Sequence, residues 1–205
     1  MPISSAPLLK KNSLGLRIYN HVKKRKAVFL DRDGTLVVHI PFLSSPEQLR
    51  LLPNAVEGIR LFKKSGYAII IVTNQSGVAR GYFNEAQLTL VHNKLLTMLE
   101  WEGICIDDIY YCPHHHEGVV EEYRRVCDCR KPKPKMLLDA ARYHRIDLTK
   151  SLMIGDSECD VLAGKNAGCT SVLIRDTAGN DLPITPATGA DYIVENLLEA
   201  AKLFT

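Results

Sequence analysis

The chain has 205 residues, 46% of them hydrophobic and 24% charged, with a net charge of +3. That length suits one domain with a substantial core, that balance argues against a disordered or fibrous chain, and no apolar run approaches the roughly 18 residues a membrane span needs. The charge is uneven: residues 1–26 carry seven lysines and arginines and no acid, which leaves −4 on the remainder. A basic N-terminal extension, residues 1–25, therefore precedes a single domain over 26–205. A solvated arm is the plainer reading of it, with contact to an anionic surface or nucleic acid as the minority alternative.

The first predicted element is Ala27 to Leu30, a short apolar run followed at once by Asp31, Arg32, Asp33, Gly34 and Thr35. This is the pattern of a buried parallel strand opening into a turn, and open α/β sheets bind ligands beyond the carboxyl ends of such strands. A turn starting at Asp33 can swing its carboxylate back toward that of Asp31, and two carboxylates at one mouth suit a hard cation such as Mg²⁺. Asp-x-Asp-Gly alone is also ordinary surface turn chemistry. The apolar strand in front of it favours a site. Residues 39–46, with two prolines and no helical period, form a loop beside that mouth.

Asn54 with Glu57 has the form of a capping box for a helix that buries Ala55, Ile59, Leu61 and Phe62 and stops near Gly66. Ala68 to Val72 is a second buried strand, and it too runs straight into polar residues, Thr73, Asn74, Gln75 and Ser76. The Thr73 and Ser76 hydroxyls, with backbone N–H groups of the turn through Gly77, make a candidate phosphate cradle, and Arg80 could add a bidentate contact. The competing reading is that Thr-Asn-Gln only caps the next helix. That helix opens with Asn84 and Gln87 and keeps Leu88, Val91, Leu95, Met98 and Leu99 on one face. Ile106 to Tyr111 is a third strand.

It leads into Cys112-Pro113-His114-His115-His116 and, after a charged insert, Cys127-Asp128-Cys129-Arg130-Lys131-Pro132-Lys133-Pro134. Three of the six cysteines fall within 18 residues, together with histidines, which points to a metal site in a reducing compartment and not to disulfides. Cys112, His114, Cys127 and Cys129 supply four ligands for a tetrahedral Zn²⁺, although the spacings are tighter than those of the usual knuckle. His115 and His116 are spare candidates. The next helix starts by Pro134 and runs to about His144 with Met136, Leu137, Ala140 and Ala141 inward. Leu152 to Asp156 is a fourth strand with an acid at its end, followed by a helix to Gly168, a strand at 171–174, a loop over 176–190, a strand at Tyr192–Val194 and a helix from Leu197 to Phe204. Alternation of strands and helices predicts an α/β fold, a Rossmann-like parallel sheet with helices on both faces.

Four features in order, D-x-D-G-T at Asp31, T-N-Q at Thr73, a lysine at 131 or 133 and G-D-x-x-x-D from Gly155 to Asp160, resemble the haloacid dehalogenase superfamily of phosphohydrolases. The cysteine loop is similar to that of its heptose 1,7-bisphosphate phosphatases and histidinol-phosphate phosphatases, which carry zinc there. The resemblance implies Asp31 as nucleophile forming an aspartyl-phosphate and Asp33 as acid and then base. It implies Mg²⁺ held by Asp31, Asp156 and the main-chain carbonyl of Asp33, with Lys131 preferred over Lys133 as the charge-neutralising lysine. Arg130 would hold a second phosphate, which makes a sugar bisphosphate the expected substrate and histidinol phosphate the alternative. Only 42 positions separate Asp31 from Thr73 and 58 separate Thr73 from Lys131, so no separate cap domain fits, and the zinc-loop insert and the 39–46 loop must wall the site. Val37 and Pro41-Phe42 depart from the asparagine and glycine-tyrosine usual in heptose bisphosphate phosphatases.

Two other classes compete. Polynucleotide 3′-phosphatase domains share the first two motifs, but the body of this chain is acidic and shows no basic stripe interleaved with aromatics, which argues against nucleic acid as a partner. A zinc-stabilised binding protein with a dead site is opposed by the presence of every acid the chemistry needs. Without an apolar stretch of signal-peptide type in the first 26 residues, the expected setting is the cytoplasm, as a monomer acting on a small phosphorylated molecule.

Overall fold

The computed structural model describes residues 24–175 and 189–205, together with the backbone of 10–11 and 17–18. Lys10–Lys11 (β1) and Arg17–Ile18 (β2) pair antiparallel. The rest of the expected basic extension, and the loop expected over 176–190 except for its last two residues, lie outside the described residues.

Six strands follow: Ala27–Leu30 (β3), Ala68–Asn74 (β4), Asp108–Cys112 (β5), Leu152–Gly155 (β6), Thr170–Ile174 (β7) and Tyr192–Val194 (β8). They form one sheet in the order β5-β4-β3-β6-β7-β8, parallel at every pairing. Its helices are Ala55–Lys64 (α1), Glu85–Trp101 (α2), Lys135–His144 (α3), Glu158–Ala167 (α4) and Leu197–Phe204 (α5).

Successive side chains of a strand point to opposite faces, and here they feed two cores. Val28, Leu30, Ile69, Ile71, Ile154 and Val172 pack with Ile59 and Phe62 of α1, Val91, Leu95 and Leu99 of α2, and Leu197 of α5. On the other face Phe29, Ile70, Val72 and Met153 meet Met136, Leu137 and Ala140 of α3 and Ala163 and Ala167 of α4. A sheet covered on both faces needs continuous apolar strands, which is why β3 and β4 read as runs and not as alternations. Among the described residues no insertion forms a second domain, and no helix is long and apolar enough to cross a membrane.

Two local expectations change. Asn54 does precede α1, but its backbone is left-handed (φ 65°) and its side chain caps no N–H, so the Asn54/Glu57 box does not form. The Asn84/Gln87 box does: Gln87 N–H donates to Asn84 Oδ1 at 2.9 Å and Asn84 N–H to Gln87 Oε1 at 3.0 Å. The third strand starts two residues later than expected. Asp107 precedes it because its carboxylate accepts from Ile69 N–H at 2.9 Å, Lys63 at 3.2 Å and Arg25 at 2.9 Å, which holds the chain at the foot of the sheet.

Chain order runs outward from β3 to β5 and then returns to β6 beside β3, so the crevice between β3 and β6 at their carboxyl ends is the topological switch point where such sheets bind ligands. Gly58 sets how closely α5 approaches α1, since a Cβ there would lie 2.8 Å from the main-chain carbon and oxygen of Leu197. Gly58→Ala gains about 1 kcal/mol of helix propensity, but overpacking against backbone costs about 1–3 kcal/mol, and the clash wins. Thermal unfolding of Gly58→Ala should show a lower Tm; a raised Tm would contradict this packing.

Candidate active site

Asp31 leaves β3 with its N–H donating to Ile154 O of β6 at 3.0 Å, which holds it over the crevice. The turn after it closes on itself, with Leu36 and Val37 N–H both donating to Arg32 O at 3.0 Å and Gly34 N–H to Val37 O at 2.8 Å. Gly34 has φ 81°, and a Cβ on it would sit 2.1 Å from a carboxylate oxygen of Asp156. Only glycine satisfies both the dihedral and the close passage of Asp156 over the turn.

Lys131 enters this space from the cysteine loop, 100 residues along from Asp31, and is 3% exposed. Its ammonium lies 2.7 Å from Asp31 Oδ1, 2.6 Å from Asp160 Oδ1 and 2.7 Å from Val72 O. Burial alone would lower the lysine's pKa, but Asp160 and Asp31 outweigh it and hold the group charged. Asn74 grips the Lys131 main chain from both sides, accepting from its N–H at 3.0 Å and donating to its carbonyl at 3.1 Å. Lys133, the other candidate, is on the surface and pairs with Asp128 at 2.9 Å.

Asp31, Asp156 and Asp160 bring carboxylate oxygens within 4.8 Å of one another. Burial pushes Asp31 up to about 7, against the pull of Lys131, and Asp160, Asp33 and Asp156 add to the rise. Asp156 is raised too, by the dense protein around it and then by Asp160, although its own side chain opens to solvent. Three acids against one lysine leave a net negative charge that a divalent cation would neutralise, and an all-oxygen donor set is what a hard cation takes. The donor set thus fits Mg²⁺.

The Asp33 carboxylate does not swing back toward Asp31 as expected. It is held by Arg32 at 2.8 Å and by Gln75 Nε2 at 2.9 Å, which leaves only its main-chain carbonyl to serve a cation. Gln75 Nε2 also donates to Thr73 Oγ1 at 2.9 Å. Thr73, Asn74, Gln75 and Ser76 all line the cavity, but the Asn74 and Gln75 side chains are committed to Lys131 and Asp33. Asp160 joins them although its residue type alone assigns it no role, and the spacing G-D-x-x-x-D is the signal that marks it. The first turn of α4 brings it within 4.8 Å of the Asp31 and Asp156 oxygens and to 2.6 Å from the Lys131 ammonium.

Cys112, His114, Cys127 and Cys129 converge within 4.8 Å. Cys129 Sγ is 3.1 Å from Cys112 Sγ, 3.4 Å from Cys127 Sγ and 3.3 Å from His114 Nδ1, and Cys112 Sγ is 3.5 Å from Cys127 Sγ. These approach the edges, about 3.8 Å, of a tetrahedron with zinc–sulfur bonds of about 2.3 Å. Hydrogen bonding from Cys112 first, with help from His114 and Cys127, draws Cys129 down to about 5, while the same contact pushes Cys112 up. Three sulfurs and an imidazole at these distances suit a borderline-soft cation. Tyr111 and Tyr123 both donate to Glu85, at 2.9 and 2.8 Å, and so fasten β5 and the loop to α2.

The cavity over Asp31, Lys131, Asp156 and Asp160 measures about 310 Å³, and the loop of His39 to Leu43 forms part of its wall. Arg80 and Arg130 do not line it. Arg80 instead faces His115 Nε2 at 3.1 Å and Glu117 at 3.7 Å, because Ser76 O accepts the Arg80 N–H and the turn carries its side chain toward the cysteine loop. Arg130 is half-buried close enough to His115 to help lower its pKa, after burial and Arg80, and its Nη1 has no partner among the described residues. At the rim Phe42 adopts φ 54° and packs against Tyr82 with ring centroids 4.3 Å apart and the rings tilted by 50°.

A family model described as HAD-hydrolase-like matches residues 128–200. The D-glycero-beta-D-manno-heptose-1,7-bisphosphate 7-phosphatase of Pasteurella multocida is 41% identical over 179 residues, 87% of this chain and 96% of that protein. Among solved structures, a putative HAD-like phosphatase from Mesorhizobium loti superposes with TM-score 0.76 at 33% identity, covering 88% of each chain. The D,D-heptose 1,7-bisphosphate phosphatase of B. bronchiseptica, complexed with magnesium and phosphate, gives 0.73 at 32% identity over 87% of this chain and 97% of that one.

Removing one partner of a buried ion pair costs about 3–5 kcal/mol, because the remaining charge is left uncompensated. Lys131→Met, unfolded with urea in chelator, should lose stability on that scale. A loss below about 1 kcal/mol would mean that the lysine is not the counterion of the acid cluster.

Proposed function

The chain belongs to the haloacid-dehalogenase-like phosphatases, which are phosphoric monoester hydrolases, and on that premise we propose that it is a Mg²⁺-dependent enzyme that removes one phosphate of a sugar bisphosphate. The proposed substrate is D-glycero-β-D-manno-heptose 1,7-bisphosphate, cleaved at the 7-phosphate, as in the relatives named above. Support for the chemistry comes chiefly from one observation, the Lys131 ammonium 2.7 Å from Asp31 at the switch point of the sheet.

Asp31 attacks phosphorus; the bond from phosphorus to the sugar oxygen breaks, its electron pair stays on that oxygen, and Asp33 gives the oxygen a proton. Asp33 then takes a proton from the water that hydrolyses the aspartyl-phosphate, which restores Asp31 and releases inorganic phosphate. A Mg²⁺ held by Asp31, Asp156 and the main-chain carbonyl of Asp33 would neutralise charge on the transferring group. Thr73 and Ser76 offer hydroxyls to the phosphate oxygens, and Lys131 offers charge.

Zinc bound by Cys112, His114, Cys127 and Cys129 would be structural, since four protein ligands leave no position open for water. Its work would be to shape the loop that delivers Lys131 and Arg130. A reducing cytoplasm is the proposed setting, and the clustered free thiols support it.

Arg130 is assigned to the phosphate that is not cleaved. Its unpartnered Nη1 supports this, although the side chain lies just off the cavity wall. With no cap domain to grip the sugar, a remote phosphate is the handle through which binding energy positions the reacting one. Arg130→Ala should therefore lose about 2–3 kcal/mol more in kcat/KM toward heptose 1,7-bisphosphate than toward histidinol phosphate, the worth of a charge-assisted contact. Equal losses, or a wild-type preference for histidinol phosphate, would contradict the bisphosphate assignment.

A further inference from the structure

Arg32, between the two acids of the first motif, is the largest of the fully buried side chains, at 1% exposure. Burying a guanidinium is costly unless charge and hydrogen bonds compensate, and here the compensation comes from one group. Nε lies 3.1 and 3.2 Å, and Nη2 3.0 and 2.8 Å, from Asp33 Oδ1 and Oδ2. Nη1 has no partner among the described residues. His92 of α2 is close enough to feel the charge of Arg32, which after burial lowers it to about 4, and its Nε2 is also unpartnered among the described residues, so it is neutral and no rival partner for Asp33. Gln75 supplies a further N–H to Asp33 Oδ2.

A residue that served only to fill the core would not commit its planar fork to its own neighbour in sequence. Asp33 follows Asp31 by two positions, and an unrestrained carboxylate there would be drawn to a cation that Asp31 and Asp156 would hold. We infer that Arg32 is a positioning residue: its fork fixes the Asp33 carboxylate on the β4 side of the cavity, away from the acid cluster and toward the leaving-group oxygen. The inference rests on the reading of Asp33 as the general acid.

The experiment compares Arg32→Lys, which keeps the charge and loses the fork, with wild type on two esters. In a sugar phosphate the alkoxide needs a proton to leave, whereas in 2,4-dinitrophenyl phosphate the phenolate leaves without one. Because kcat/KM reports only the steps up to aspartyl-phosphate formation, Arg32→Lys should lose about 100-fold in kcat/KM on the sugar phosphate, the size of a general-acid contribution, and less than about threefold on the aryl phosphate. Loss of equal size on both, or no loss, overturns the inference. Asp33→Asn is measured alongside. If it shows the selective loss and Arg32→Lys does not, the positioning role fails alone; if Asp33→Asn shows no selectivity, the assignment of Asp33 has failed first. Arg32→Gln provides a second variant, and failure of both to keep the wild-type unfolding profile would make Arg32 a structural residue and end the proposal.

Discussion

The structure turns on one buried ammonium group. Lys131 stands among Asp31, Asp160 and the carbonyl of Val72, all within 2.7 Å. A lysine taken out of water keeps its charge only where opposite charge and acceptors replace the lost hydration, and buried acids face the same penalty. Each side makes the other tolerable. The lysine, however, comes from a long loop and not from the scaffold, so the pairing demands a device that holds the loop. Two are present, the hydrogen bonds of Asn74 to the Lys131 main chain and the convergence of three thiols and an imidazole a few residues earlier.

The scaffold supplies the other half. β3, β4 and β6 are adjacent and parallel, so the residues leaving their carboxyl ends, Asp31, the Thr73 to Ser76 turn and Asp156, meet at one edge without any long excursion. Turns there must be tight, and Gly34 is what allows the first turn and Asp156 to share the space. With the acids on strand ends and one helix, the walls are left to loops, His39 to Leu43 on one side and the turn after β4 on the other. A small, open cavity of this kind obtains specificity from a few rim groups and from charge beyond the rim, which is where Phe42, Tyr82 and the Arg80, His115 and Arg130 group lie.

Much of this was legible because apolar runs that end abruptly in polar residues encode both the strand and its functional end. Asp31, Thr73 and Asp156 stand at such ends and line one cavity, and Cys112, His114, Cys127 and Cys129, which cluster in sequence, also converge in space. What was not legible depended on directions that residue types do not carry. Asn54 and Asn84 open the same pattern, yet only Asn84 caps its helix, because a left-handed φ at Asn54 turns the side chain away. Arg80 is close to the phosphate cradle in sequence and faces away from it. Asp33 goes to Arg32 and not to Asp31, since burial of an arginine one position away could not be read from composition or period. Asp160 was visible in its spacing, but its partnership with Lys131 needed the packing of α4 on β6.

The central claim is that Asp31, primed by Lys131 at the switch point, carries the phosphoryl group. It is tested most directly by single-turnover rapid quench with a heptose bisphosphate radiolabelled at the 7-phosphate, followed by proteolysis and mass mapping of the acyl-phosphate. The account predicts label on the peptide containing Asp31 within the time of one turnover, and none on that peptide in Asp31→Asn. Turnover with label on another residue, or with no covalent label at any time, would contradict it.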